Sequence, residues 1–211
     1  MKKQFLSLIA LSAIVLSSCG DGANKSTSGA DSIGAPKPTT TQLTTSSEDD
    51  ADEDANFLVD SKGLQQAEAS LRALPQFKDK DIRVFQNIHF YGDGRIMLSL
   101  QDPSKPENVD EYKFSNGAWA EPQPVQISGG GDLAHNTFAL SSLKFETVAS
   151  IYKFLEEKNK DIDGGEIDSH IYYNLNVMKQ EGQWFSGIQG TRGKYSGYFN
   201  ADGSLKEFKQ N

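Results

Sequence analysis

One cysteine stands in 211 residues, and it stands at position 19. No intrachain disulfide can therefore staple the fold, and no Cys-based metal site, redox motif or thiol nucleophile can be built from this chain. Stability has to come from an ordinary apolar core. The segment patterned to supply one, residues 57–211, is about 155 residues long, the size of one domain or two small repeats.

The sequence around that cysteine has a direction. Met1-Lys2-Lys3 is a short positive start, and Phe5 to Leu16 is a mostly apolar run. A run of about a dozen residues is too short to cross a hydrocarbon layer of roughly 30 Å, and the pattern is that of a secretory signal, residues 1–18. Leu16-Ser17-Ser18-Cys19 resembles the lipobox of bacterial lipoproteins. That resemblance implies a diacylglycerol on the Cys19 sulfur, palmitate-type acylation, and cleavage just before Cys19. The membrane is then the first expected partner, held through the lipid on Cys19. Gly20 follows the cysteine, not the aspartate of the enteric inner-membrane retention rule. A lipid-anchored cell-envelope location is expected, in the outer membrane if the host has two.

Residues 19–56 read as a disordered acidic linker. Gly20 to Asn56 is rich in Ser, Thr, Gly, Ala and Asp, and it ends in Glu48-Asp49-Asp50-Ala51-Asp52-Glu53-Asp54. Too few apolar residues are present to offset the entropy of ordering it, and the acidic block is a self-repelling spacer. Residues 57–211 carry 17 basic against 21 acidic side chains. That balance excludes nucleic acid as an expected partner, because phosphate binding needs a basic patch.

From Phe57 onward the periodicity alternates between 3.6 and 2. Asp60 or Ser61 can cap a helix with Leu64, Ala67, Leu71 and Leu74 on one face, stopped by Pro75. Val84, Ile88 and Phe90 alternate with polar positions; Gly92-Asp93-Gly94 turns the chain into Ile96, Leu98 and Leu100. Val109 to Phe114 is a third strand, and Asn116-Gly117 turns toward Trp119. After the Ser128–Asp132 connection the plan recurs. Ser141 or Ser142 can cap a helix carrying Phe145, Val148, Ile151, Tyr152 and Leu155, and Asp163-Gly164-Gly165 ends it. Ile167, Ile171, Tyr173, Leu175 and Val177 line one side of a long strand, opposite Asp168, His170, Asn174 and Asn176. Trp184-Phe185, Tyr195–Phe199 and Ser204–Phe208 follow as strands. The expected fold class is α+β: a helix followed by an antiparallel meander, duplicated in tandem as 57–127 and 138–211.

This order, with Tyr198-Phe199-Asn200-Ala201-Asp202-Gly203-Ser204-Leu205 as a terminal hairpin, resembles the PepSY-like, β-lactamase-inhibitor-like group of exported bacterial proteins. The resemblance implies a binding or inhibitory module rather than an enzyme, and it carries over no functional residue.

Candidate chemistry is sparse. His89, His135 and His170 lack His-x-His or His-x-x-x-His partners and read as solvent-facing. No Gly-x-Ser-x-Gly elbow occurs, so no catalytic residue is expected, and no cofactor. Asn159-Lys160-Asp161-Ile162-Asp163-Gly164 looks like the first half of an EF-hand loop, but its twelfth position is His170 where a bidentate Glu belongs. No metal is therefore expected, and calcium at 159–170 stays open beside a solvated helix stop. The best candidate ligand site is the stretch through Gly187, Gly190 and Gly193, where Arg192 and Lys194 bring cations to a bare backbone and Trp184, Tyr195 and Tyr198 offer stacking faces. A tight, bulged hairpin explains the same glycines. The functional expectation is a non-catalytic, membrane-anchored binding or inhibitory module for an envelope protein, peptide or glycan. The alternative is a structural or accessory lipoprotein of an envelope assembly.

Overall fold

The computed structural model describes residues 56–128 and 132–211. The signal, Cys19 and all of the acidic linker but Asn56 lie outside them, as do the three glycines of the Ser128–Asp132 connection.

Helix α1 (Ser61–Arg72) begins where the Asp60 carboxylate accepts the Gly63 N–H at 2.9 Å. This is the N-cap arrangement that satisfies one of the unpaired first-turn donors. Leu64, Ala67 and Leu71 are fully buried on its inner face. The helix stops before Pro75, whose ring disfavours helical geometry in the residue ahead of it. A meander follows: β1 (Arg83–Tyr91), β2 (Ile96–Gln101), β3 (Val109–Ser115) and β4 (Ala118–Trp119). Asn116 and Gly117 both take positive φ, 51° and 77°, as a two-residue turn between twisted antiparallel strands requires.

Two short strands were not legible in the sequence. β5 (Gln123–Pro124) pairs with β3, and β6 (Thr137–Ala139) pairs with the first part of β1. The second helix, α2 (Thr147–Asn159), starts later than its expected Ser141 or Ser142 cap. Leu140–Ser142 forms a separate 3-10 turn, and buried Phe145 precedes the helix instead of lying in it. Its N–H is taken by the Glu68 carboxylate of α1 at 2.9 Å, so a tertiary contact, not a serine cap, sets the approach to α2.

The long strand expected from Ile167 to Val177 is divided at Asp168–Ser169. β7 (Glu166–Ile167) pairs only with β9, whereas β8 (His170–Asn176) lies between β9 and β1. β9 (Glu181–Gly190), β10 (Gly193–Phe199) and β11 (Leu205–Gln210) complete the second meander.

All strands join one antiparallel sheet in the order β11-β10-β9-β8-β1-β2-β3-β4. This is the α+β class expected from the alternating periods. The order is palindromic: β1 and β8, each the first full strand of its meander, pair at the centre, and the meanders run outward to opposite edges. Buried residues of both helices and the inward positions of the strands form one core, in which Phe90 of β1 meets Trp184 of β9 at 5.8 Å between ring centroids. Among the described residues no helix is long and apolar enough to cross a membrane.

Candidate functional site

Both helices occupy one face of the sheet, so the opposite face is set by the strand residues that alternate with the core. On β1, Val84, Ile88 and Phe90 point inward, leaving Asn87, His89 and Tyr91 outward. On β8, Ile171, Tyr173 and Leu175 point inward, leaving His170, Tyr172 and Asn174 outward. The central pairing sets His89 opposite Tyr172 and Tyr91 opposite His170. Directly opposed side chains on neighbouring strands have Cβ atoms about 5 Å apart, so two histidines 81 positions apart in the chain become diagonal neighbours.

An irregularity in β1 makes this possible. Between Phe85 and Ile88 the pairing with β2 skips two residues, and Gln86 adopts φ 60°. Because two residues are inserted, the in-out alternation stays in phase along β1. Beyond the insertion, its far edge passes from β6 to β8.

Outward rings continue across the sheet. Tyr91 stacks on His170 with centroids 4.5 Å apart and planes 10° apart. His89 stacks against Tyr172 at 5.5 Å. Tyr172 then meets Phe185 of β9 at 5.1 Å, and Phe185 meets Tyr198 of β10 at 5.2 Å. The Arg95 guanidinium sits 4.5 Å from the Tyr91 ring centre at one end, and the Lys209 ammonium sits 5.4 Å from that of Tyr198 at the other. All six rings are half-buried. They span four neighbouring strands, about 15 Å at the usual strand spacing.

The two histidines are bonded to each other at the middle of this stripe. His89 Nδ1 lies 3.0 Å from His170 Nε2, and His89 Nε2 lies 2.9 Å from Asn87 Oδ1. An amide oxygen only accepts, so His89 donates from Nε2 and receives at Nδ1 from the His170 Nε2–H. Burial holds the His89 pKa below its ordinary value. The His170 pKa is lowered by burial first and by the His89 charge second, against an opposing pull from the Asp168 carboxylate. The pair is therefore neutral at pH 7.

The five side chains expected at the glycine-spaced stretch are not brought together. Trp184 is completely buried on the helix side, and its indole N–H donates to the Ala201 carbonyl at 3.1 Å. Tyr195 also faces that side, stacked on Phe208 at 5.9 Å. Arg192 is exposed in the turn between β9 and β10. Lys194 lies on the outward side, 3.8 Å from Asp168. Tyr198 alone of the named rings belongs to the outward stripe.

The glycines themselves sit in an unbulged β9–β10 pairing. They give room to neighbours: a Cβ on Gly187 would come within 2.7 Å of the Tyr195 carbonyl oxygen and 2.9 Å of Asp168 Oδ2.

The Asn159–Gly164 segment is a helix stop. The Asn159 amide nitrogen donates to the Gly165 carbonyl at 3.0 Å, and His170, its twelfth position, is committed to β8 and to His89. Among the described residues, no group of three or more His, Cys, Asp or Glu is placed to hold a metal ion. His135 stands apart from the other two, its Nδ1 2.9 Å from Asp132 Oδ2.

A depression of about 680 Å³ lies on the helix side. It is an open, hydroxyl-lined cleft around Ser142, Thr147, Ser150 and Asp202, without an aromatic ring. The stripe, though flatter, gathers the rings and the neutral imidazoles, and it is the stronger candidate.

A scan against protein-family models finds no match, and a search of curated proteins finds none. Among solved structures, the chain is similar to a crystal structure of a candidate lipoprotein from Clostridium difficile 630. The identity is 12%, the match covers 74% of this chain and 99% of that one, and the TM-score is 0.48.

Proposed function

We propose that this chain is an exported lipoprotein, acylated at Cys19, whose domain is a non-catalytic binding module working through the helix-free face of its sheet. The observation that carries the reading is the six-ring stripe Tyr91, His89, His170, Tyr172, Phe185 and Tyr198. Partly exposed aromatics collected across four strands on the face away from the core are the kind of cluster that marks recognition surfaces. The helix-then-meander order and its PepSY-like resemblance support the same class of module. On this reading 57–127 and 138–211 are tandem units, and Gly20 after the lipidated cysteine favours an outer-membrane anchor in a two-membrane host.

The stacking bears on the kind of partner. A sugar ring needs an open aromatic face to lie on. Here Tyr91 is covered by His170 and by Arg95, and Tyr198 carries Lys209. What remains outward is ring edges, tyrosine hydroxyls and His170 Nδ1, with Asn174 alongside, groups suited to the carbonyls and amides of a polypeptide. A protein or peptide of the envelope is therefore favoured over a glycan.

The test is affinity capture from envelope extract with the acylated chain and with Tyr172→Ala and Phe185→Ala variants. One stoichiometric polypeptide retained by the parent and lost by both variants, at little-changed melting temperature, is the expected result. A partner held equally by all three would remove the stripe from the reading and leave a scaffold role within an envelope assembly. Mass spectrometry of the native protein should find a diacylglyceryl group on Cys19, and an unmodified thiol would end the anchor.

A further inference from the structure

The imidazole pair at the centre of the sheet has the geometry of a two-point metal chelate. A divalent transition ion binds a histidine nitrogen at about 2.0–2.1 Å. Two such bonds meeting at a square or tetrahedral angle place their nitrogens about 2.9–3.4 Å apart by the same lengths. His89 Nδ1 and His170 Nε2 are 3.0 Å apart. The ring planes differ by only 16°, and both imidazoles lie on the helix-free face of the sheet.

The surroundings favour neutral ligands. Asn87 Oδ1 accepts from His89 Nε2, which fixes the tautomer and leaves the Nδ1 lone pair directed at the partner ring, as an outer partner does for a metal-binding histidine. On the other ring, His170 Nδ1 makes no side-chain hydrogen bond among the described residues, so it is free to take the proton that Nε2 gives up. Tyr91 and Tyr172 pack on the rings and restrict them, which lowers the entropy lost when an ion fixes both.

We propose that His89 and His170 together form a binding site for a borderline divalent transition ion, Zn²⁺, Ni²⁺ or Cu²⁺. In the free protein one proton occupies the space between the two nitrogens. On binding, that proton leaves His170 Nε2 and His170 is protonated at Nδ1 instead, so two neutral imidazoles face the ion and no net proton is lost. Among the described residues no third His, Cys, Asp or Glu joins them. The ion therefore keeps open positions toward solvent, filled by water or by an oxygen of whatever lies on the stripe. The affinity order follows the usual preference of nitrogen sites, Cu²⁺ above Ni²⁺ and Zn²⁺, with Mg²⁺ and Ca²⁺ excluded by their demand for oxygen ligands. The site joins β1 to β8, the seam where the two meanders meet, so binding acts on the stability of the whole sheet. It does not depend on the stripe being a partner surface.

The experiment uses the full chain without a polyhistidine tag. At a free Zn²⁺ concentration about 100 times the dissociation constant, the melting temperature should rise by about 5–10 °C. His89→Ala and His170→Gln should abolish the rise, and His135→Ala should keep it. Because either seam variant can weaken folding, the same question is put to the parent protein by NMR. Zn²⁺ should shift the imidazole resonances of His89 and His170 and leave those of His135 in place, with the effect fading at acidic pH as the rings protonate. No shift at millimolar Zn²⁺, or a shift confined to His135, would overturn the proposal.

Discussion

His89 and His170 tie the stability of this sheet to pH. Both have folded-state pKa values below the ordinary histidine value, chiefly through burial. The unfolded chain, with free imidazoles near 6.5, then binds more protons than the folded chain over the interval beneath that value. Stability is therefore complete above about pH 7 and falls as pH drops through 6.5 toward the lowered values. One proton can be taken at His170 Nδ1 while its Nε2–H still donates to His89. A second would place two cations at 3.0 Å and break that bond. The charged groups nearby are Asp168, which moderates the effect on His170, Lys194 beside Asp168, and Arg95 over Tyr91. The urea midpoint should decline between pH 7 and pH 5, and His170→Gln should flatten that decline. An unchanged slope would mean that the pair does not govern it. Nothing in the sequence announces this pair. Each histidine is placed correctly on the polar side of its own strand by period-two alternation, but their meeting requires knowing that β1 pairs with β8. Local spacing carries no such information.

The same divide between local and tertiary information decides which elements were legible. Helix α1 is written locally: its Asp60 cap, its buried positions and its stop before Pro75 all follow from chain-neighbour chemistry. The hairpin turns at Gly94 and Asn116–Gly117 are local in the same sense. The start of α2 is not, because the segment before it is positioned by Glu68, a residue of the other helix. Glu68 Oε1 receives the Arg72 guanidinium, at 2.8 Å from Nη2, and Oε2 receives the Phe145 N–H at 2.9 Å. The carboxylate is almost wholly buried. Glu68→Ala should destabilise the domain by about 2–3 kcal/mol, most of it the cost of leaving a buried donor without a partner. Glu68→Gln, which keeps an acceptor for Phe145, should cost clearly less. Chemical denaturation of the two variants separates these values, and equal losses would show that the ion pair with Arg72, not the Phe145 bond, is the part that matters. The division between β7 and β8 has a comparable origin: the Asp168 N–H donates to the Gly187 carbonyl at 2.9 Å while β8 turns to meet β1, a demand that shows in the sequence only as the polar Ser169 on the apolar side of the alternation.

Across residues 57–211, the palindromic strand order makes the two meanders depend on each other. Each ends the other's open edge, β1 against β8, and their buried rings interlock. Phe90 of β1 lies 5.0 Å from Phe145, edge to face, and 5.8 Å from Trp184 of β9. Phe138, on the short strand that prolongs this seam, lies 5.0 Å from Tyr173 of β8. A meander alone would expose the hydrogen-bonding edge of its first strand and half of a continuous core, and a four-stranded sheet under one short helix has little apolar area with which to offset chain entropy. Unfolding should therefore be a single cooperative event despite the two-part order of elements. Phe90→Ala is the informative perturbation. It removes a fully buried ring that touches the second half while belonging to the first, at an expected cost of about 3–5 kcal/mol. In native-state hydrogen exchange, the protection of amides in β2 and β3 should fall by the same amount as that of amides in β9 and β10, because both report the same global opening. If the β9–β10 amides kept their parent protection while β2 and β3 lost theirs, the seam would be a contact between two independently stable units.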